Sequence, residues 1–211
     1  MPGFALERRF DGLVAGLDEA GRGPLAGPVV AAALVVPGKR VPRGLRGLVD
    51  DSKRLSAARR AEALDAIRAA ARRGDILFAA GAASAREVDA LDPLRATFLA
   101  WRRALARLGA APAHVLVDGD RAPRDLAGEG VGVTTVVGGD ARSFSIAAAS
   151  IVAKELRDRA MRRLAPRHPA YGWEANMGYG TAAHLQAIAV AGPSPHHRLS
   201  FAPLSQLRMS L

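Results

Sequence analysis

Two adjacent carboxylates, Asp18 and Glu19, stand at the end of a short apolar run and open straight into a glycine turn: Leu13-Val14-Ala15-Gly16-Leu17-Asp18-Glu19-Ala20-Gly21-Arg22-Gly23. The apolar run reads as a buried strand. Two acids side by side at its end repel each other and lose solvation, so stability alone does not favour them there. A divalent cation turns that repulsion into ligation. Any fold adopted by this chain must therefore bring the strand end to an accessible edge. Arg22, between two glycines, then sits beside the acids on a turn that another backbone can approach.

The rest of the chain is punctuated in the same way. Pro28 to Pro37 brackets a second, Val-rich strand, expected to form a hairpin with the first. Ser56 caps and Gly74 ends a helix over Ser56 to Arg73. Ile76 to Ala83 is a third strand, and Asp92-Pro93 opens a helix towards Gly109. His114 to Val117 is a short strand ending at Asp118, and Val131 to Val137 is another. A long helix is expected over Ser143 to Leu164, with Ala147-Ala148-Ala149-Ser150 small enough to pack close to a sheet. Arg167 to Gly180 reads as a loop, and Thr181 caps a last helix that stops near Gly192-Pro193. Three strands, then strands alternating with helices, predict an α/β fold with a mixed sheet covered on both faces.

Composition narrows the function. With 211 residues, 49% of them hydrophobic, the chain suits one domain with a sizeable core. A formal net charge of +10 favours a polyanionic partner, most simply nucleic acid. Arginine supplies nearly all of it, since the only lysines are Lys39, Lys53 and Lys154; coding bias is the bland source of such usage. The absence of cysteine removes disulfides, thiolate nucleophiles and Cys-based zinc sites. Met1 to Phe10 lacks the apolar core of a signal peptide, and the longest apolar run, Val29 to Val36, is too short to span a bilayer. A cytosolic, soluble protein without membrane partners is expected.

Asp118 ends a strand as Asp18 does. If the two strands are parallel neighbours, both acids meet at the edge where α/β sheets place their sites. Because side chains alternate along a strand, Asp18 and Glu19 face one site together only if the chain rolls at Glu19 into the glycine turn. A third acid, Asp158, has Lys154 four residues before it and Arg162 four after, the spacing of an ordinary helix-surface ion pair. Asp118 before Gly119 is likewise a common turn residue. Oxygen-only ligands favour Mg²⁺ or Mn²⁺, and two such ions about 4 Å apart clamp an in-line displacement at phosphorus. Gly21-x-Gly23-x-x-Ala26 mimics a dinucleotide fingerprint, but a Pro-flanked strand follows it instead of a helix. Asp51-Ser52-Lys53 precedes a helix, where a lysine can grip phosphate or simply be solvated. The glycine-flanked aromatics from Tyr171 to Tyr179, followed by His184, suit base stacking or loop packing. A carboxylate-pair glycosidase fits poorly with the charge. A basic nucleic-acid-binding module without catalysis is the main alternative to a nuclease.

Taken together these motifs resemble the bacterial ribonuclease HII (type 2 ribonuclease H) family. The resemblance is carried in order by Asp18-Glu19-Ala20-Gly21-Arg22-Gly23, Asp51-Ser52-Lys53, Val117-Asp118-Gly119, Ser145 to Lys154, Gly178-Tyr179-Gly180-Thr181 and His197-Arg198-x-Ser200-Phe201-x-Pro203. It implies a ribonuclease H-like mixed sheet flanked by helices over 1–165, with a small C-terminal helical extension over 166–211. It implies endonucleolytic cleavage of the RNA strand of RNA–DNA hybrids, and 5′ to single ribonucleotides in duplex DNA, leaving 3′-hydroxyl and 5′-phosphate ends. Asp18, Glu19, Asp118 and Asp158 would hold Mn²⁺ or Mg²⁺, two ions with substrate bound. Gly21, Arg22 and Gly23 would read the 2′-hydroxyl, Lys53 would hold phosphate, and Tyr179 would stack at the RNA–DNA junction. A monomer is expected, and a replication clamp as partner has only the six residues Gln206 to Leu211 behind it, which carry little weight. Met177 stands where the family often has Lys, Arg142 where Lys is common, and Asp92-Pro93 where Asn-Ile is usual.

Overall fold

The computed structural model describes residues 2–50 and 55–208. Five strands form one sheet in the order β3-β2-β1-β4-β5: β1 is Val14–Ala20, β2 Val29–Val35, β3 Leu77–Ala83, β4 His114–Asp118 and β5 Gly132–Val136. β1–β2 and β2–β3 pair antiparallel, whereas β1–β4 and β4–β5 pair parallel. The mixed sheet and the β1–β2 neighbours are as expected from the turn signals. β2 is buried at every position, which is why it reads as an unbroken apolar run without alternation.

One face is covered by α1 (Ala57–Arg72) and α4 (Phe144–Leu164). The other is covered by α2 (Ala85–Leu91) and α3 (Pro93–Ala106), whose Trp101 packs with Leu17, Val115 and Val117. Each fully buried aliphatic or aromatic side chain contributes about 1.5–3 kcal/mol, so these two layers dominate the stability. α4 comes closest at Gly16. A Cβ there would lie 2.3 Å from the Ser145 backbone carbon, inside any real contact. The missing side chain lets the helix backbone seat directly on β1.

α2 is not among the helices expected from the sequence, although its cue is present. Ser84 accepts from the Glu87 backbone N–H while Glu87 accepts from that of Ser84, a capping box. Asp92 caps α3 as expected, accepting from Leu94 and Arg95. The segment from Arg167 to Gly180, expected as a loop, is instead largely helical: a 3-10 turn over Pro169–Tyr171 is followed by α5 (Trp173–Asn176). α6 (Ala182–Ala191) and α7 (Leu204–Arg208) complete the chain. Residues from both sides of position 165 share one apolar cluster: Leu25, Ala26 and Met161 pack with Tyr171, Trp173 and Ile188. Among the described residues no helix is long and apolar enough to cross a membrane.

Candidate active site at the carboxyl edge of β1 and β4

β1 does not stop at Leu17. Its pairing with β2 continues through Asp18↔Ala32, Glu19↔Ala31 and Ala20↔Val30. The expected roll at Glu19 is therefore absent, and the two acids point to opposite faces. Asp18 follows Gly16 towards α4, where Ser150 supports its carboxyl. Glu19 follows Leu17 towards α3 and Trp101. What brings them to one site is the sheet edge. β4 ends at Asp118, one step past the Leu17↔Val117 pair, while β1 continues two residues beyond Asp18. Across that edge the Asp118 charge raises the Glu19 carboxyl.

Asp18, Glu19 and Asp118 line one cleft of about 570 Å³ together with Gly21, Arg22 and Tyr179. Lys154, Arg157 and Arg60 supply its positive wall. Burial pushes the Asp18 carboxyl well above the usual range, and the charges of Glu19 and Asp118 push it further. Burial also raises Glu19, against the pull of Arg22, whose Nη1 lies 3.4 Å from Oε1. Asp18 accepts from the Glu19 backbone N–H at 2.6 Å, and Asp118 from that of Gly139 at 2.7 Å. Glu19 Oε2 is buried with no hydrogen-bond partner. The Trp101 indole N–H is near enough to ease the Glu19 charge, but it is not aligned for a hydrogen bond and is itself unpartnered.

Asp158 is not on the cleft wall. It pairs with Lys154 at 2.8 Å, the helical spacing seen in the sequence, and with Arg60 at 3.7 Å. Among the described residues, no three His, Asp or Glu side chains already form a metal-binding group. The donors nevertheless fit a hard cation: they are all oxygen, two are destabilised by mutual charge, and one buried oxygen is unsatisfied.

The glycine turn is held from within. Gly21 has φ +94°, and a Cβ there would lie 2.1 Å from Arg157 Nε. Arg198, fully buried, donates to the carbonyls of Gly21, Arg22 and Gly27. Gly23 is exposed at the turn's tip. Tyr179 is 47% exposed, with the Arg157 guanidinium 5.9 Å from its ring centroid. Met177 packs into the apolar cluster instead of facing the cleft as a cation. Lys53, with Asp51 and Ser52, lies outside the described residues. Arg157 and Arg198 were missed as site residues because their partners are backbone carbonyls more than a hundred positions away.

The model of the ribonuclease HII family matches residues 15–204. The chain belongs to the ribonuclease HII family. It is 52% identical to ribonuclease HII of Paramagnetospirillum magneticum over 206 residues, covering 98% of both chains. It is 53% identical to that of Granulibacter bethesdensis, covering 98% of this chain and 91% of the relative. Among solved structures, ribonuclease H2 from Pyrococcus horikoshii superposes with a TM-score of 0.74 at 25% identity, covering 94% of this chain and 98% of that one. A ribonuclease HIII solved with Mn²⁺ gives a TM-score of 0.70 at 21% identity, covering 98% and 73%, which speaks to the fold alone. Family membership makes this chain a hydrolase, an endoribonuclease of RNA–DNA hybrids, and excludes a purely binding role.

Proposed function

We propose that this ribonuclease HII relative cuts at the β1–β4 edge, with Asp18, Glu19, Asp118 and Asp158 holding Mg²⁺ or Mn²⁺, two ions when substrate is bound. The observation that carries this reading is the pair of aspartates on adjacent parallel strands, repelling each other beside an unsatisfied Glu19 oxygen. Divalent ions bound there supply Lewis-acid charge stabilisation at the scissile phosphodiester. Ser150 and the Gly139 N–H orient Asp18 and Asp118. Lys154 and Arg60 hold Asp158 between them, so loading Asp158 as a ligand entails loosening that pairing.

The preferred substrate in this reading includes a single ribonucleotide in duplex DNA, cut on its 5′ side to leave 3′-hydroxyl and 5′-phosphate ends. Backbone groups of Gly21, Arg22 and Gly23 would meet the 2′-hydroxyl, the one group that tells RNA from DNA there. Tyr179 would stack at the junction, and Lys53 would hold phosphate on the strength of the family motif. A clamp partner rests on weaker support: the Archaeoglobus fulgidus relative is known in a complex with PCNA. The decisive experiment is cleavage of a duplex carrying one ribonucleotide, with and without Mg²⁺ or Mn²⁺. A single 5′-side cut that needs metal and is lost in Asp18→Asn supports the assignment; undiminished turnover by Asp18→Asn rejects it.

A further inference from the structure

The buried polar groups of the C-terminal segment are not used by the chemistry above, yet His184, His197 and Arg198 are extensively hydrogen-bonded. His184 and His197 are essentially inaccessible. Their hydrogen-bond partners fix both tautomers. The Ser194 N–H donates to His197 Nδ1 at 2.9 Å, so His197 carries its proton on Nε2. That proton points at His184 Nε2, 3.1 Å away, which also accepts from the Trp173 indole N–H at 3.0 Å. His184 Nε2 must then be a bare acceptor. Its proton sits on Nδ1 and is donated to the Tyr179 carbonyl at 2.8 Å. Two rings therefore donate into His184 Nε2, and His184 in turn donates to the backbone of the residue whose ring faces the cleft.

The next residue along does the same for the other side of the cleft. Arg198 Nη1 donates to Arg22 O at 2.7 Å and Nη2 to Gly27 O at 2.8 Å, with Gly21 O bonded as well. The two halves are also laced directly, since Leu25 and Ala26 N–H groups both donate to Gly178 O at 2.8 and 3.2 Å. Arg198 N–H donates to Leu25 O, and Gly27 N–H to His196 O.

We infer that His197 and Arg198 form a buckle that sets the spacing between the Gly21–Gly23 turn and Tyr179, and so the selectivity for a ribonucleotide over a deoxyribonucleotide. The inference rests on the proposed reading in which those two elements contact the ribonucleotide. Both residues are positioning residues: Arg198 acts on the turn directly, and His197 acts on Tyr179 through His184.

The test is binding in EDTA, which prevents turnover, of a duplex with one ribonucleotide against the same sequence in DNA. His197→Gln should lower the affinity ratio by about tenfold, the scale of a loosened site, while leaving affinity for the all-DNA duplex unchanged. In a Tyr179→Ala background the same substitution should cost nothing further. An equal loss for both duplexes, or the same loss with Tyr179 absent, overturns the buckle. So does an unsubstituted protein that binds the two duplexes equally, which also ends the reading of the turn and Tyr179. The metal assignment is judged separately, by the Asp18→Asn cleavage assay. Should His197→Gln fail to fold, Trp173→Phe removes one donor to His184 Nε2 and should shift the ratio in the same direction by a smaller factor; no shift there overturns the inference.

Discussion

The acidic edge and the C-terminal buckle bury polar groups in opposite ways. At the edge, like charges face each other, and Glu19 Oε2 has no partner. In the buckle, the ring nitrogens of His184 and His197 are all matched, and Arg198 spreads its donors over three carbonyls. A buried polar group left unmade costs about 1–3 kcal/mol, so the edge is penalised by missing partners, whereas the buckle has its partners and is penalised only by burial, which lowers Arg198 to about 10. The difference separates what waits for a ligand from what shapes the place where the ligand goes.

The sharpest way to break this comparison is at Asp18. Asp18→Asn should reduce cleavage by about 10³-fold, in line with losing a charge-stabilising group, and should leave the melting temperature of the metal-free protein unchanged or higher. A fall in both would make Asp18 structural. Arg198→Ala should do the reverse in stability. It strips the buried carbonyls of Gly21 and Gly27 and the part-buried carbonyl of Arg22 of their donor, a loss of about 3 kcal/mol, seen as a drop of about 6–12 °C in thermal melting.

The buckle also has its own pH signature. Burial lowers His197 to about 4, with the neighbouring His184 charge adding to the effect. The unfolded chain takes up that proton near 6.5, the ordinary value for an imidazole, so between about 4 and 6.5 the unfolded state binds more protons. Stability should therefore be full above that window and fall as pH drops through it. Denaturant midpoints across the range should show this, and His197→Gln should flatten the slope. The smallest effect is expected at Ser84, whose bonds are local to the first turn of α2. Ser84→Ala removes the α2 capping box and should cost about 1 kcal/mol without changing cleavage rate or metal requirement.

Much of this was legible in the chain because its chemistry is local. Asp18-Glu19 before a glycine turn, Asp118 at a strand end and the β1–β2 hairpin all follow from short patterns. The parallel β1–β4 pairing then places Asp18 beside Asp118 without further information. For Glu19, the alternation of side chains made a shared site depend on a roll into the glycine turn, whereas β2 keeps β1 paired through Ala20 and the sheet edge brings Glu19 to the cleft without one. Asp158 shows the limit of helical spacing. The i,i+4 pair with Lys154 is real, but Arg60 from α1 joins it and no periodicity reports that. Arg198 was visible only as part of a family motif. Its partners on the turn lie some 170 positions earlier, and backbone carbonyls leave no trace in a pattern of side chains.

Gly16 ties these parts to a mechanical tolerance. Asp158 rides on α4 and Asp18 on β1, and the gap between their two carriers is set where the helix backbone rests on a residue with only hydrogen to offer. Even one methyl group there would act as a shim, lifting one carrier off the other while leaving every reactive atom in the chain untouched.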